Sequence, residues 1–443
     1  MSIEADAVAE SAAEHHGSLG VVQGTALYIA AVLGTGLLVL PGVAAAAAGP
    51  ASVISVIVVL VLSIPLAGTF GALAARYPDP GGVASYVRRA LGPTASRMTG
   101  YWFYFGVCAG TPVVAVLGGE YIVAVAGIDP AGIPIIALAL FALAFTANLF
   151  GVRVAGWVQF VLTGLLLAVV VGVVALALPA VEPARFSPFL PHGWGGVGTA
   201  VLLFVWAFAG WEVGTHISAE FRRPRRVIPI ATAIALVVTG ASYLLLQIAT
   251  VGVVGSPASH DAVPLLTLAS AVAPGVGPLA VGVVAAIVSL GVMNAYLAAF
   301  GKLGASLARN GDLPRWFERG ADPGTVPRRA LILTLCVGLV YFGFMVWSGL
   351  DLQPFILIHT SNMVAIYAAG MLSAVLILPR RTAGWWMAVV ATVLSAGLLV
   401  LAGGNLLPSI LLAVIAIAVT VWRRVRSRTE APAPSERLRP PIA

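Results

Sequence analysis

Continuous apolar runs of about 20 residues recur along this chain, each long enough to cross a hydrocarbon core ~30 Å thick. Only helices and closed barrels span such a core, because every backbone N–H and C=O must find its partner inside the protein. The runs are unbroken rather than alternating, which selects helices over a barrel. Composition agrees, with 60% of residues hydrophobic and 9% charged. A soluble domain carries roughly 25% charged residues, so this chain lacks the polar surface that water demands.

Twelve spans are expected, at approximately 21–46, 51–75, 97–125, 131–150, 154–179, 197–220, 227–254, 275–307, 329–348, 352–378, 383–402 and 406–422. With the N-terminus inside, every basic residue of the 24 except Arg185 falls in an inside loop or tail. This is the positive-inside pattern, and one missed span would break it. The fold expected is all-α, with cytoplasmic termini, in the plasma membrane (the inner membrane of a bacterium). Residues 1–20 read as a disordered cytoplasmic tail without a signal peptide, 21–428 as the transmembrane domain, and 429–443 as a second disordered tail. The net charge of +7 does not point to nucleic acid, because the basic residues sit between apolar runs. Cys108 and Cys336 lie inside such runs and suit neither a metal site nor a disulfide framework.

Two spans are interrupted near their middle. The first holds Gly34-Thr35-Gly36 with Pro41 beyond, and the sixth holds Phe208-Ala209-Gly210-Trp211-Glu212. Glycines in spans also permit close helix packing, and 49 glycines are spread through this chain. The matched positions of the two breaks are the stronger signal. They imply two five-helix repeats of opposite orientation, about 21–179 and 197–378, with a binding site between them and two extra C-terminal helices.

Four motifs in order resemble the amino acid–polyamine–organocation (APC) superfamily of transporters. They are Leu33-Gly34-Thr35-Gly36 with Leu40-Pro41-Gly42; Tyr77-Pro78-Asp79-Pro80-Gly81-Gly82 with Tyr86 and Leu91-Gly92-Pro93; Trp206 through Glu212 followed by Glu220 and Pro224; and Ala308 through Pro314. The resemblance implies a LeuT-like fold and a re-entrant cytoplasmic helix after span two. Asn294-Ala295-Tyr296-Leu297, Phe300, Lys302-Leu303 and the stretch from His216 to Glu220 look most like exporters of methionine and branched-chain amino acids. Two departures stand out. Span five has no lysine of the kind some proton-coupled relatives use, and Ser289 in span eight lacks the second hydroxyl of sodium-coupled relatives. Sodium coupling is therefore disfavoured, and protons remain the candidate.

An amino acid presents a carboxylate and an ammonium group. Thr35 and Gly36 are placed to bind the carboxylate at a half-helix N-terminus, where free N–H groups and the dipole favour an anion. The bland reading of Thr35 is a hydroxyl bonded to its own preceding turn. The carbonyls of Val32, Trp206 and Ala209 are the expected ammonium acceptors, and Gly34 and Gly210 are expected substrate-binding positions, since glycine lets backbone approach a ligand. By resemblance, Trp206 covers the substrate as a gate. Glu212 either exchanges a proton or bonds the unwound backbone permanently, since an intramembrane carboxylate is costly and rarely idle. Cys108 and Thr111 either line a side-chain pocket or merely pack. His216 sits one helical turn after Glu212, where the two can share a face. His359, Thr360, Ser361 and Asn362 either flank the site or bond between helices. Glu120 reads as a solvated residue at the outer mouth.

These features favour a secondary transporter of neutral or hydrophobic amino acids, exporting or exchanging them with protons as the coupling ion. Other amino acids, polyamines and a nutrient sensor on the same fold stay open as alternatives. No P-loop, HExxH or GxSxG pattern occurs, so neither an ATP motor nor an enzyme is expected, and no cofactor or metal is called for. A channel would favour a continuous polar pore. Monomer and homodimer are both open.

Overall fold

The computed structural model describes residues 19–77, 82–151, 156–212, 215, 221–255, 261–320 and 325–429. Pro78–Gly81 of the loop motif, His216, Glu220 and nearly all of both tails lie outside them. The described residues form helices throughout, apart from one isolated bridge between Leu19 and Phe221.

The first apolar run is split into α1 (Val21–Leu33) and α2 (Gly36–Ala48). Next come α3 (Ser52–Arg76), the short α4 (Gly82–Leu91) and α5 (Pro93–Tyr101). A π turn at Trp102–Gly106 and a 3₁₀ turn at Val107–Ala109 join α5 to α6 (Gly110–Ala126). Then follow α7 (Ile133–Leu149), α8 (Gly156–Ala177) and α9 (Gly193–Ala207). After the second break come α10 (Pro224–Ala249), the short α11 (Pro264–Val272) and α12 (Val276–Arg309). The chain ends with α13 (Arg328–Trp347), α14 (Gln353–Ile377), α15 (Ala383–Ala402) and α16 (Leu407–Thr429).

Among the described residues, nine helical stretches are long and apolar enough to cross a membrane. Three of them, Gly36–Arg76, Pro93–Ala126 and Ala383–Val425, each contain two of the numbered helices. Their burial inside the protein is uneven. In the stretch Pro93–Ala126, 89% of the apolar window is covered by protein, against 17% for Ala383–Val425. α5–α6 is thus the central axis, and α15–α16 are peripheral. Large apolar side chains such as Trp347, Val400 and Val237 are exposed on the outside, which suits a surface covered by lipid rather than water.

The helices pack in two groups. In the first, α1 and α3 lie on α10, and α2 and α3 lie on α9. In the second, α6 packs on α7 and α12, and α12 on α13. α11, which the sequence had not disclosed as a helix, lies against α2, α8 and α12. α4 packs against α5 and α14, and Tyr86 at its centre donates to the Tyr77 carbonyl at 2.9 Å.

A buried ion pair ties the beginning of α5 to the end of α12. Arg97 Nε lies 2.6 Å from Asp312 Oδ1, in the Asn310-Gly311-Asp312 turn. The Tyr101 hydroxyl donates to the Asp312 carbonyl at 2.6 Å. From α16, Thr420 accepts from Arg97, and Arg423 approaches Asp312 at 3.6 Å.

Candidate functional site

The two chain breaks meet at the centre of the first helix group. A Cβ on Gly36 would lie 2.8 Å from Ala207 Cβ at the end of α9 and 2.5 Å from the Tyr243 hydroxyl on α10. A Cβ on Gly210 would lie 2.9 Å from the Ala31 carbonyl oxygen in α1. Gly210 also has φ +135°, a conformation that side-chain-bearing residues rarely adopt. Each break therefore needs glycine where it crosses the other. Trp211 and Tyr28 add a ring contact with centroids 6.3 Å apart.

At the first break α1 ends at Leu33, and Thr35 is the N-cap of α2. The Thr35 carbonyl accepts from Leu38 N–H at 3.0 Å, and its side chain makes no capping bond. The leading N–H groups of a helix have no intrahelical acceptor, so the start of α2 is a place where an anion is stabilised. Tyr243 donates to the Leu33 carbonyl at 3.2 Å and lies 3.5 Å from the Val32 carbonyl. Val32 is thus partly engaged by a tyrosine that sequence reasoning missed.

At the second break α9 ends at Ala207. The chain then turns through Phe208–Glu212, with Ala209 N–H 3.4 Å from the Trp206 carbonyl. Glu212 is buried, and its Oε2 accepts from Gly210 N–H at 3.1 Å and from the Tyr367 hydroxyl at 3.0 Å. Tyr367 also lies 3.3 Å from the Gly210 nitrogen. Glu212 thus bonds the unwound backbone in this conformation, and its substitution tests whether it also exchanges a proton. Glu212→Gln keeps an oxygen for both donors but removes the charge that strengthens them, a loss of about 1–2 kcal/mol. Transport is expected to fall roughly tenfold and to keep its pH dependence. A variant that transports but no longer responds to pH would instead make Glu212 the proton carrier.

The polar cluster of span ten reaches the distorted part of span three. His359 and Asn362 fill the spaces left by Gly110 and Gly106. The His359 ring stands edge-on to Trp206 at 6.2 Å, and His359 also lies beside the Val107 carbonyl. Tyr341 donates to the Phe105 carbonyl at 3.2 Å. The π and 3₁₀ turns thus receive side-chain donors, and such turns inside helices are frequent at functional sites. Cys108 and Thr111 lie at the same bend, both buried, with Sγ 3.8 Å from Oγ1. His359 connects that bend to Trp206, which is itself buried with Nε1 lacking a hydrogen-bond partner among the described residues.

Glu120 corrects an expectation. It is 8% exposed, not solvated, in the outer half of α6, which packs closely on α7 and α12.

The described residues thus form a helical membrane bundle in which two interrupted helices meet at their breaks. Residues 19–433 match the amino acid permease family, and the chain belongs to it. It is therefore an integral membrane transporter and not an enzyme. It is 31% identical to the uncharacterized amino acid permease YecA of Bacillus subtilis, over 89% of this chain and 94% of that protein. It is 31% identical to the L-methionine/branched-chain amino acid exporter YjeH of Escherichia coli, over 51% of this chain and 54% of YjeH. The aromatic amino acid transport protein AroP of Corynebacterium glutamicum is 26% identical over 86% of this chain and 88% of AroP.

Proposed function

We propose that this permease is a secondary transporter of neutral and hydrophobic amino acids of the methionine, leucine, isoleucine and valine class. It works by alternating access, as a proton-coupled exporter or exchanger in the plasma membrane with both termini cytoplasmic. Its twelve spans form two inverted five-helix repeats followed by α15 and α16. The observation that carries this reading is the meeting of the breaks, Gly36 against Ala207 and Gly210 against Ala31. It sets the N-terminus of α2 beside unwound carbonyls, one suited to a carboxylate and the other to an ammonium. Thr35 and Gly36 bind the carboxylate. The carbonyls of Val32, Trp206 and Ala209 receive the ammonium, and Trp206 gates. Cys108 and Thr111 border the side chain.

The apolar class is supported by the residues around the breaks. Val32, Leu37, Phe204 and Phe208 are buried there, and Glu212, the one buried carboxylate among the described residues at the breaks, is bonded to backbone and tyrosine. A cationic side chain would find no uncommitted acidic partner among these residues. The test is competition. Unlabelled methionine, leucine, isoleucine and valine should each suppress uptake of labelled leucine into leucine-loaded proteoliposomes, whereas arginine and putrescine should not. Suppression by arginine or putrescine, with none by methionine, would replace the substrate class.

A further inference from the structure

A second titratable site lies away from the breaks, at the outer end of α6. Glu120 is six residues before the end of that helix, about 9 Å inside it. It is 8% exposed, and its Oε2 is fully enclosed without a hydrogen-bond partner among the described residues. Asp261, in the segment leading into α11, lies within electrostatic reach of it. Asp261 Oδ1 accepts from Val263 N–H at 2.9 Å, while its Oδ2 is enclosed and likewise unpartnered. An ionised carboxylate enclosed without donors, beside a second carboxylate, is strongly disfavoured. A proton on Glu120 removes that penalty.

Among the described residues, the nearest cation is Arg185, which is bonded to the Val253 carbonyl and paired with Glu182. α2, α7, α11 and the outer half of α12 contain no charged residue. Asp129, beyond the end of α6, is exposed and bonded to Ala131 N–H. α14 brings His359, but it faces Gly110, about 15 Å further along α6. α13 brings Tyr341, bonded to the Phe105 carbonyl, and the exposed Cys336. Tyr121 is next to Glu120 and donates to the Leu38 carbonyl at 2.7 Å. It also sits beside the N–H groups of Leu265 and Leu266 that open α11. His260 precedes Asp261 in sequence and lies outside the described residues.

We propose that Glu120, with Asp261 beside it, is a proton-binding site, occupied when the outer side of the protein is closed and emptied when it opens to water. Closure over an ionised Glu120 would enclose a bare charge, so protonation favours closure and opening favours release. Tyr121 links the site to the binding region, because the Leu38 carbonyl it holds belongs to the helix that Thr35 caps. The proposal goes beyond the substrate reading, and its main readout needs no transport.

The test is infrared difference spectroscopy on the full-length protein in lipid nanodiscs. At neutral pH a protonated carboxylic C=O band is expected that vanishes in Glu120→Gln. In Asp261→Asn the band should persist, with a changed pH at which it is lost. Persistence of the whole carboxylic signal in Glu120→Gln would overturn the proposal. So would its absence from the wild type at neutral pH, or a signal that follows sodium and not pH. If Glu120→Gln does not fold, the Asp261→Asn comparison decides alone, and an unchanged titration there counts against the pair.

Discussion

Gly36→Ala is expected to lower transport roughly a hundredfold while leaving the protein folded in the membrane. The added methyl would sit 2.5 Å from the Tyr243 hydroxyl and 2.8 Å from Ala207 Cβ. Neither neighbour withdraws easily, since Tyr243 is bonded to the Leu33 carbonyl and Ala207 ends α9 at the second break. Overpacking of this kind costs about 1–3 kcal/mol, and the upper end corresponds to a hundredfold in rate if it falls on the transport step. The strain would separate the two breaks and pull the first N–H groups of α2 away from a bound carboxylate. Gly36→Ala with Tyr243→Phe should recover part of the activity, because one of the two collisions is gone. Gly164→Ala in α8 meets nothing within 4 Å and should be neutral. Initial rates of leucine exchange in proteoliposomes, normalised to reconstituted protein, measure all three. Wild-type rates in Gly36→Ala would mean that the breaks need not touch.

Asp312→Ala acts on stability instead. It leaves the buried Arg97 guanidinium without its 2.6 Å carboxylate, with Arg423 also facing the gap. Removing one partner of a buried pair costs about 3–5 kcal/mol, because the other charge stays enclosed. The part owed to Arg423 is small, since that side chain is half in solvent. A clear fall in the midpoint of thermal inactivation in detergent is expected. Replacing both residues by apolar ones, Arg97→Met with Asp312→Leu, should recover much of the loss. Equal midpoints for wild type and Asp312→Ala would show that the pair contributes little.

The sequence disclosed those parts of the molecule that carry a local signature. Unbroken apolar runs announced the helices, and Gly34-Thr35-Gly36 and Ala209-Gly210 announced the breaks through their matched positions in the first and sixth runs. Glu212 stood out as a carboxylate inside an apolar run. The residues that hold these breaks in shape did not stand out. Tyr243 and Tyr367 are single tyrosines in long apolar helices, and nothing in their neighbourhood tells which carbonyl or carboxylate they will meet. Glu120 was misplaced for a related reason. Counting residues from the end of its span suggests the mouth, whereas its burial depends on how closely α7 and α12 pack on that end, which no local pattern announces. The deformation of span three at Trp102–Ala109 was also hidden, since its donors His359 and Tyr341 come from spans ten and nine.

The central claim is that this permease carries amino acids at the crossing of its two breaks. Counterflow tests it most directly. Proteoliposomes loaded with unlabelled leucine are placed in labelled leucine, for the wild type and for Thr35→Val, which keeps the shape of the residue and removes its hydroxyl. Transient accumulation of label by the wild type, lost in a correctly folded Thr35→Val, is the predicted result. Equal accumulation by both proteins would place the carboxylate elsewhere, and no accumulation by the wild type with any neutral amino acid would contradict the account as a whole.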